Sequence, residues 1–223
     1  MRRADDPAHE TPGSARPYPG LDSLSERAPL PGSPADAQLE VWPAAVFLAL
    51  ALIFFWKIAF TGLVLSGYDT FAFFYPYFGA AADAVRHLRL PLWNPDVFMG
   101  APLLANLQMA LFYPATVLFF VLPLPYALSY DIILHVVLAA FFTYHLARQT
   151  AALGRAGALG AGITFAFSGF FAAQAGHVNQ LSAAVWLPLM LLLFDRAYKR
   201  RSVVNTMLCG VVIGLTLLAG HTQ

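Results

Sequence analysis

Residues 126–147 read YALSYDIILHVVLAAFFTYHLA, a pattern that indicates the fold class. It contains no Lys or Arg and is apolar through most of its length, and about 20 such residues are enough for a helix to cross a bilayer. Asp131 and His135 stand four positions apart and therefore share one helical face. The stretch predicts a transmembrane helix in which these two residues pair. We interpret the pair as structural, with a functional role left open.

Four further apolar runs extend this interpretation along the chain. They cover residues 41–65, 156–175, 181–194 and 203–219. The chain is 59% hydrophobic and only 11% charged, whereas about a quarter of the residues of a soluble domain are charged. We therefore predict an all-α polytopic membrane protein with about five transmembrane helices.

Two long segments fall outside the apolar runs. Residues 1–40 are rich in proline and charge, which predicts a disordered tail. Residues 66–125 are rich in aromatic residues and contain seven prolines, so we predict a long first loop with interfacial or re-entrant pieces at 78–90 and 115–122. Because the chain ends directly after an apolar run, we expect residues 41–223 to be the N-terminal part of a longer transmembrane domain.

The basic residues predict the orientation. Short cytoplasmic loops collect Lys and Arg, and the densest basic cluster consists of Arg196, Lys199, Arg200 and Arg201. Placing this cluster in the cytoplasm puts the N-terminal tail there as well and the long first loop outside. The high content of Arg and Ala suggests a bacterial source, so we expect a multi-pass protein of a bacterial plasma membrane with a cytoplasmic N-terminus.

The same topology places three polar clusters at the outer ends of apolar runs. They are Tyr68-Asp69, residues 176–180 (GHVNQ) and residues 220–223 (GHTQ). Ionisable and polar groups are costly in or near lipid and are usually retained for function. The clusters therefore predict a site at the outer membrane surface.

Each cluster also has a structural interpretation. Asp69 can act as a general base or bind a cation, or it can cap a helix that begins at Thr70. His177 and His221 can contact phosphate or transfer protons, or they can cap helix ends. Two His and one Asp would suit a divalent cation, but no metal-ligand spacing supports one, so no metal site is predicted. Cys209 lies inside an apolar run and indicates neither a disulfide nor a thiol site.

A series of short motifs follows the clusters in order. They are Gly67-Tyr68-Asp69, Tyr75-Pro76, residues 90–95 (LPLWNP), Gly100-Ala101-Pro102, Gln108, Tyr113-Pro114, Gly176-His177, Trp186-Leu187-Pro188 and residues 219–223 (AGHTQ). Their order and spacing resemble those of the YfhO-type bacterial membrane proteins, which are similar to glycosyltransferases of the GT-C fold. The resemblance covers residues 60–223.

The resemblance implies a membrane enzyme that transfers a sugar from a polyprenyl-phosphate-linked donor to a cell-envelope acceptor on the outer face of the membrane. In GT-C enzymes the catalytic acid follows the first span, which is the position of Asp69. Substrate contacts are expected from Tyr68, Trp93, Asn94, Gln108, His177, Gln180, His221 and Gln223. No cofactor is expected. Whether the reaction requires a divalent metal is left open, because no Asp-x-Asp motif accompanies Asp69. The implied activity is that of a longer parent protein and leaves open whether this chain is active alone.

Two alternatives belong to other functional classes. A transporter or flippase for lipid-linked saccharides would carry charges inside spans and inverted repeats of broken helices. Lys57 is the one charge near the middle of a span, and the Ala-Gly-His motif recurs at 175 and 219 in the same sense, not inverted. A non-catalytic membrane scaffold would tolerate loss of Asp69. Nucleic acid is excluded as an expected partner because the chain has no basic stripe with interleaved aromatic residues.

Overall fold

The computed structural model describes residues 39–65 and 67–221, and this part of the protein is mostly helical. Its ten α-helices are α1 Trp42–Phe54, α2 Trp56–Phe60, α3 Tyr75–Arg86, α4 Val117–Val121, α5 Leu124–Gln149, α6 Arg155–Ala166, α7 Gly169–Gln174, α8 Val178–Ala184, α9 Leu187–Arg200 and α10 Val203–Leu218. A π-helical segment, Thr70–Phe74, precedes α3, and 3₁₀ turns occupy Leu107–Met109 and Pro114–Thr116. The predicted tail 1–40 lies outside the described residues except at 39 and 40.

Three helical segments of the described residues are long and apolar enough to cross a membrane. They are Leu124–Gln149, Arg155–Gln174 and Val178–Arg200. The mostly helical, membrane-type character predicted from the sequence is confirmed. The first and last predicted spans correspond to the shorter apolar helices α1 and α10, whose crossing of the membrane stays a prediction.

Helix α5 forms the centre of the bundle and contacts α1, α6 and α9. Phe47 of α1 and Tyr144 of α5 are completely buried at this centre. Gly162 allows α6 to approach α5 closely, because a Cβ atom at this position would lie 2.7 Å from the carbonyl oxygen of Ala140. Small residues at such crossings let apolar helices pack backbone to backbone.

Proline interrupts the segment that consists of α8 and α9. Pro188 has no N–H group to donate to the carbonyl of the preceding turn, and the helix breaks at Val185 and Trp186. Trp186 stands at this interruption, and its side chain donates a hydrogen bond to Tyr113 at the end of the first loop.

The first loop is folded against the bundle. The interfacial helix predicted at 78–90 is α3, Tyr75–Arg86, which ends earlier because the chain turns at Leu88 with φ 55°. Phe78 of α3 stacks on Phe119 of α4 with ring centroids 3.9 Å apart. Arg86 donates to the carbonyl oxygen of Leu122 at 2.8 Å and so satisfies the C-terminal end of α4. This contact gives a structural reason for an arginine on the predicted outer side.

A small hairpin interrupts the otherwise helical fold. Strands β1, Trp93–Asn94, and β2, Ala101–Pro102, pair antiparallel, with Trp93 opposite Pro102. Gly100 between them has φ 114°, and a Cβ there would lie 2.7 Å from the Trp93 ring. These two short strands form because the prolines and Gly100 favour extended and left-handed backbone, and they leave the described residues mostly helical, as predicted.

Candidate active site

Asp69 and His177 meet at one end of the bundle. The Nε2 atom of His177 lies 3.0 Å from Oδ2 of Asp69, and the two side chains are 41% and 47% exposed. Asp69 does stand at the N-terminal end of the π-helical segment, but its side chain makes no capping hydrogen bond. The capping interpretation is therefore wrong for this carboxylate, which faces the imidazole instead.

Two glycines and a threonine hold the two turns together. Gly67 and Gly176 pass so closely that a Cβ on Gly67 would lie 3.7 Å from the Cα atom of Gly176. The buried hydroxyl of Thr70 donates to the carbonyl oxygen of Gly176 at 3.3 Å. Because Thr70 and Gly176 each adjoin one member of the pair, this bond fixes how closely Asp69 and His177 approach.

The pair opens into a cleft of about 390 Å³. Its lining consists of Tyr68, Asp69, Ala72, Phe73, Phe74, Phe98, Gln108, His177, Asn179 and Gln180. Five of the residues predicted to form the site are brought together here: Tyr68, Asp69, Gln108, His177 and Gln180. They come from the start of the first loop, from its middle and from the turn that begins α8.

Three residues predicted to contact substrate lie outside the lining. Trp93 is exposed and packs against Gly100 in the hairpin. Asn94 is buried, and its Oδ1 accepts a hydrogen bond from the backbone N–H of Asp96 at 3.0 Å. His221 follows a turn that contacts the cleft, since Asn179 donates to the carbonyl oxygen of Gly220 at 3.4 Å.

Gln223, which was also predicted to contact substrate, lies outside the described residues. Three aromatic residues of the lining, Phe73, Phe74 and Phe98, were not among the predicted site residues. Phe98 has φ 50°, a left-handed conformation that bulky side chains rarely adopt and that no sequence pattern predicts.

A buried hydrogen-bond chain connects the end of the first loop to the spans. Trp186 donates to the hydroxyl oxygen of Tyr113 at 2.9 Å, and this hydroxyl lies 2.8 Å from Nε2 of His135. With its proton on Nδ1, His135 donates to the backbone oxygen of Asp131 at 2.7 Å. Burial raises the pKa of Tyr113. Its hydroxyl therefore stays protonated and donates a hydrogen bond to Nε2 of His135.

The predicted pairing of Asp131 and His135 is confirmed, with Oδ2 and Nδ1 3.3 Å apart and both side chains buried. Tyr113 and Trp186 belong to short sequence motifs, but the sequence did not predict their contact with this pair. Their side chains join the pair because the fold brings three distant segments together, which an i, i+4 pattern does not report.

Glu40 organises the opposite end of the bundle. Its carboxylate accepts hydrogen bonds from Tyr144, from Trp42 at 3.0 Å and from Arg155 at 3.1 Å. The bond from Tyr144, together with those from Arg155 and Trp42, lowers the pKa of Glu40 from 4.5 to about 2. Glu40 falls within the predicted disordered tail 1–40, but in the structure its carboxylate joins α1, α5 and α6.

Within the part of the chain that the structure describes, no three His, Cys, Asp or Glu side chains are grouped so that they could hold a metal ion. The expectation of no resident metal stays a prediction. No protein-family model, no curated protein and no solved structure matches this chain.

Proposed function

We propose that this chain belongs to a membrane glycosyltransferase of the GT-C type. The enzyme transfers a sugar from a polyprenyl-phosphate-linked donor to a cell-envelope acceptor on the outer face of a bacterial plasma membrane. The observation that carries the proposal is the contact between Asp69 and His177 at 3.0 Å inside a cleft at the end of apolar helices. A carboxylate beside an imidazole in a partly exposed cleft is suited to remove a proton from a bound hydroxyl.

In the proposed reaction Asp69 acts as the general base. Asp69 accepts the proton of the acceptor hydroxyl, and the hydroxyl oxygen forms a bond to the anomeric carbon of the donor sugar. The bond from that carbon to the phosphate oxygen breaks, and polyprenyl phosphate leaves with the electron pair. His177 donates to Oδ2 of Asp69 through Nε2, which orients the carboxylate and leaves Oδ1 for the acceptor.

The proposed membrane arrangement has five spans. These spans are the three long segments together with α1–α2 and α10. This arrangement places the Asp69 end outside and the Glu40 end in the cytoplasm. The distribution of charge supports this orientation, because Arg148, Arg155 and the cluster at 196–201 all lie at the Glu40 end and basic residues collect in the cytoplasm.

The test measures sugar transfer by the natural full-length protein in membranes that contain radiolabelled polyprenyl-phosphate sugars. We expect Asp69→Asn to reduce transfer by about 10²- to 10⁴-fold, the contribution of a positioned general base. The matched control is Asp96→Asn, which removes an exposed carboxylate of the same loop that is not part of the cleft lining.

Equal transfer by the wild type and Asp69→Asn would exclude Asp69 as the base. Absence of transfer by the wild type from any sugar in the pool would overturn the transferase proposal and favour the transporter or the scaffold.

A further inference from the structure

The proposed reaction does not specify which kind of molecule brings its hydroxyl to Asp69. A cell-envelope acceptor can be a carbohydrate, a lipid or a protein. The cleft lining distinguishes among these by its aromatic rings, by its uncommitted hydrogen-bonding groups and by its charge.

Aromatic rings stand at the rim of the cleft. Tyr68 and Phe98 are each 86% exposed, although large aromatic side chains are usually buried. Phe98 and the following Met99 both adopt left-handed backbone, with φ 50° and 63°. This conformation is strained for residues with a Cβ atom, and strain held at the edge of a cleft points to a functional use of the projected side chain.

Two carboxamides in the cleft are uncommitted. The backbone N–H groups of Gln108 and Gln180 are bonded to the side chains of Asn106 and Asn179 at 3.1 and 3.0 Å. Their own side-chain amides have no hydrogen-bond partner within residues 39–65 and 67–221. Each amide offers a hydrogen-bond donor and an acceptor. A sugar hydroxyl both donates and accepts hydrogen bonds, so each amide can serve as its partner in either direction.

The charge of the lining argues against a phosphate in the cleft. None of the described residues that line it is Lys or Arg, the side chains that usually bind phosphate. The imidazole of His177 is already engaged by the carboxylate of Asp69. A donor sugar would also bring its phosphate close to that carboxylate, and two negative groups repel each other.

We propose that the cleft binds a neutral sugar ring of the acceptor. The ring stacks against Phe98, its reactive hydroxyl faces Asp69, and its other hydroxyls bond to the amides of Gln108 and Gln180. The acceptor of the reaction is therefore a carbohydrate, and the lipid phosphate of the donor lies outside this cleft. This inference rests on the proposed function, because it identifies the cleft as the place where the acceptor is held.

The experiment measures binding to the natural full-length protein in nanodiscs by saturation-transfer NMR. The probes are the methyl glycosides of glucose, galactose, mannose and N-acetylglucosamine, each paired with the corresponding sugar 1-phosphate. The two members of a pair share the ring and differ in the phosphate. We expect at least one methyl glycoside to bind, and its 1-phosphate to bind at least about tenfold more weakly because of the acidic, cation-free lining.

Variants at the rim then test the stacking contact. Phe98→Ala should weaken binding of that glycoside about tenfold, and Phe98→Trp should retain it, because an indole offers an equivalent face. Met99→Ala is the matched control: Met99 adjoins Phe98, shares its left-handed backbone and is fully exposed, but is not part of the lining. It should leave binding unchanged.

Three results would overturn the inference: no methyl glycoside binds, a 1-phosphate binds more tightly than its glycoside, or Phe98→Ala binds as well as the wild type. Its failure is distinguishable from that of the proposed function. Transfer that depends on Asp69 without glycoside binding removes only the carbohydrate acceptor. Glycoside binding that depends on Phe98 without any transfer removes the transferase and leaves a carbohydrate-binding cleft.

Discussion

The ionised carboxylate of Glu40 stabilises the described fold through its hydrogen bonds to Tyr144, Trp42 and Arg155. Its folded-state pKa of about 2 lies below the ordinary 4.5, so the stabilisation is complete above pH 4.5 and is lost as the pH falls towards 2. We expect Glu40→Gln to lower the free energy of unfolding by about 2 kcal/mol at pH 7, because it weakens hydrogen bonds that a charged acceptor makes stronger.

Thermal unfolding in detergent, followed by tryptophan fluorescence between pH 7 and pH 2, measures this effect. The difference in Tm between the wild type and Glu40→Gln should shrink as the pH falls through the window from 4.5 to about 2. Asp96→Asn serves as the control for a change in surface charge. If Glu40→Gln unfolds at the same temperature as Asp96→Asn at pH 7, the carboxylate does not stabilise the bundle.

The sequence predicted which residues form the cleft better than it predicted which side chains contact each other. Asp69, His177, Gln108 and Gln180 could be placed on one side of the membrane by counting spans, and the cleft unites them. The stabilising role of Glu40 could not be predicted. Its partner Tyr144 lies 104 positions away, and Glu40 directly follows a proline-rich segment that is typical of a disordered tail.

Helix α6 provides a pair of glycines that separates close packing from helix propensity. A Cβ on Gly162 would lie 2.7 Å from both the Ala140 oxygen and the Phe47 ring, whereas nothing lies within 4 Å of a Cβ on Gly160. We expect Gly162→Ala to destabilise the protein by about 1–3 kcal/mol through overpacking. Gly160→Ala should stabilise it by up to ~1 kcal/mol, because alanine favours the helix.

The two variants are compared with the wild type by thermal unfolding in the same detergent. Changes of opposite sign are expected, and because both substitutions add one methyl group to the same helix, each controls for the other. Equal Tm values for both variants would show that α6 does not depend on close approach to α5.

The helices were more predictable than their ends. The apolar periods locate α5 and the helical segments around it, since burial in lipid or in the bundle selects the same residue types. The break at Trp186 and the early end of α3 depend on single residues, Pro188 and the left-handed Leu88. The hairpin at Trp93 depends on the close approach of its ring to Gly100, which linear patterns do not report.

The whole molecule has two chemically different ends. Asp69, His177 and the cleft, whose lining contains no Lys or Arg, lie at one end, and Glu40 with its arginines lies at the other. This separation follows from chain order. Helix α5 begins at Leu124, which packs against the apolar cluster that contains Phe74 of the cleft lining, and ends at Gln149, which accepts a hydrogen bond from Arg196 of α9 at 2.9 Å. The proposed transfer on the outer face requires that the cleft end faces away from the cytoplasm.

Cysteine accessibility in intact cells tests that requirement. In a Cys209→Ala background, which removes the one cysteine among these 223 residues, a cysteine is introduced at an exposed position in one of three loops, by Asp96→Cys, Ala151→Cys or Arg201→Cys. A membrane-impermeant maleimide should label Asp96→Cys in intact cells, and it should label the other two only after permeabilisation, because α5 and α8–α9 separate them from the cleft side. The reverse pattern would place the cleft in the cytoplasm and contradict transfer from a donor on the outer face. Labelling of all three in intact cells would contradict a membrane-spanning arrangement of α5.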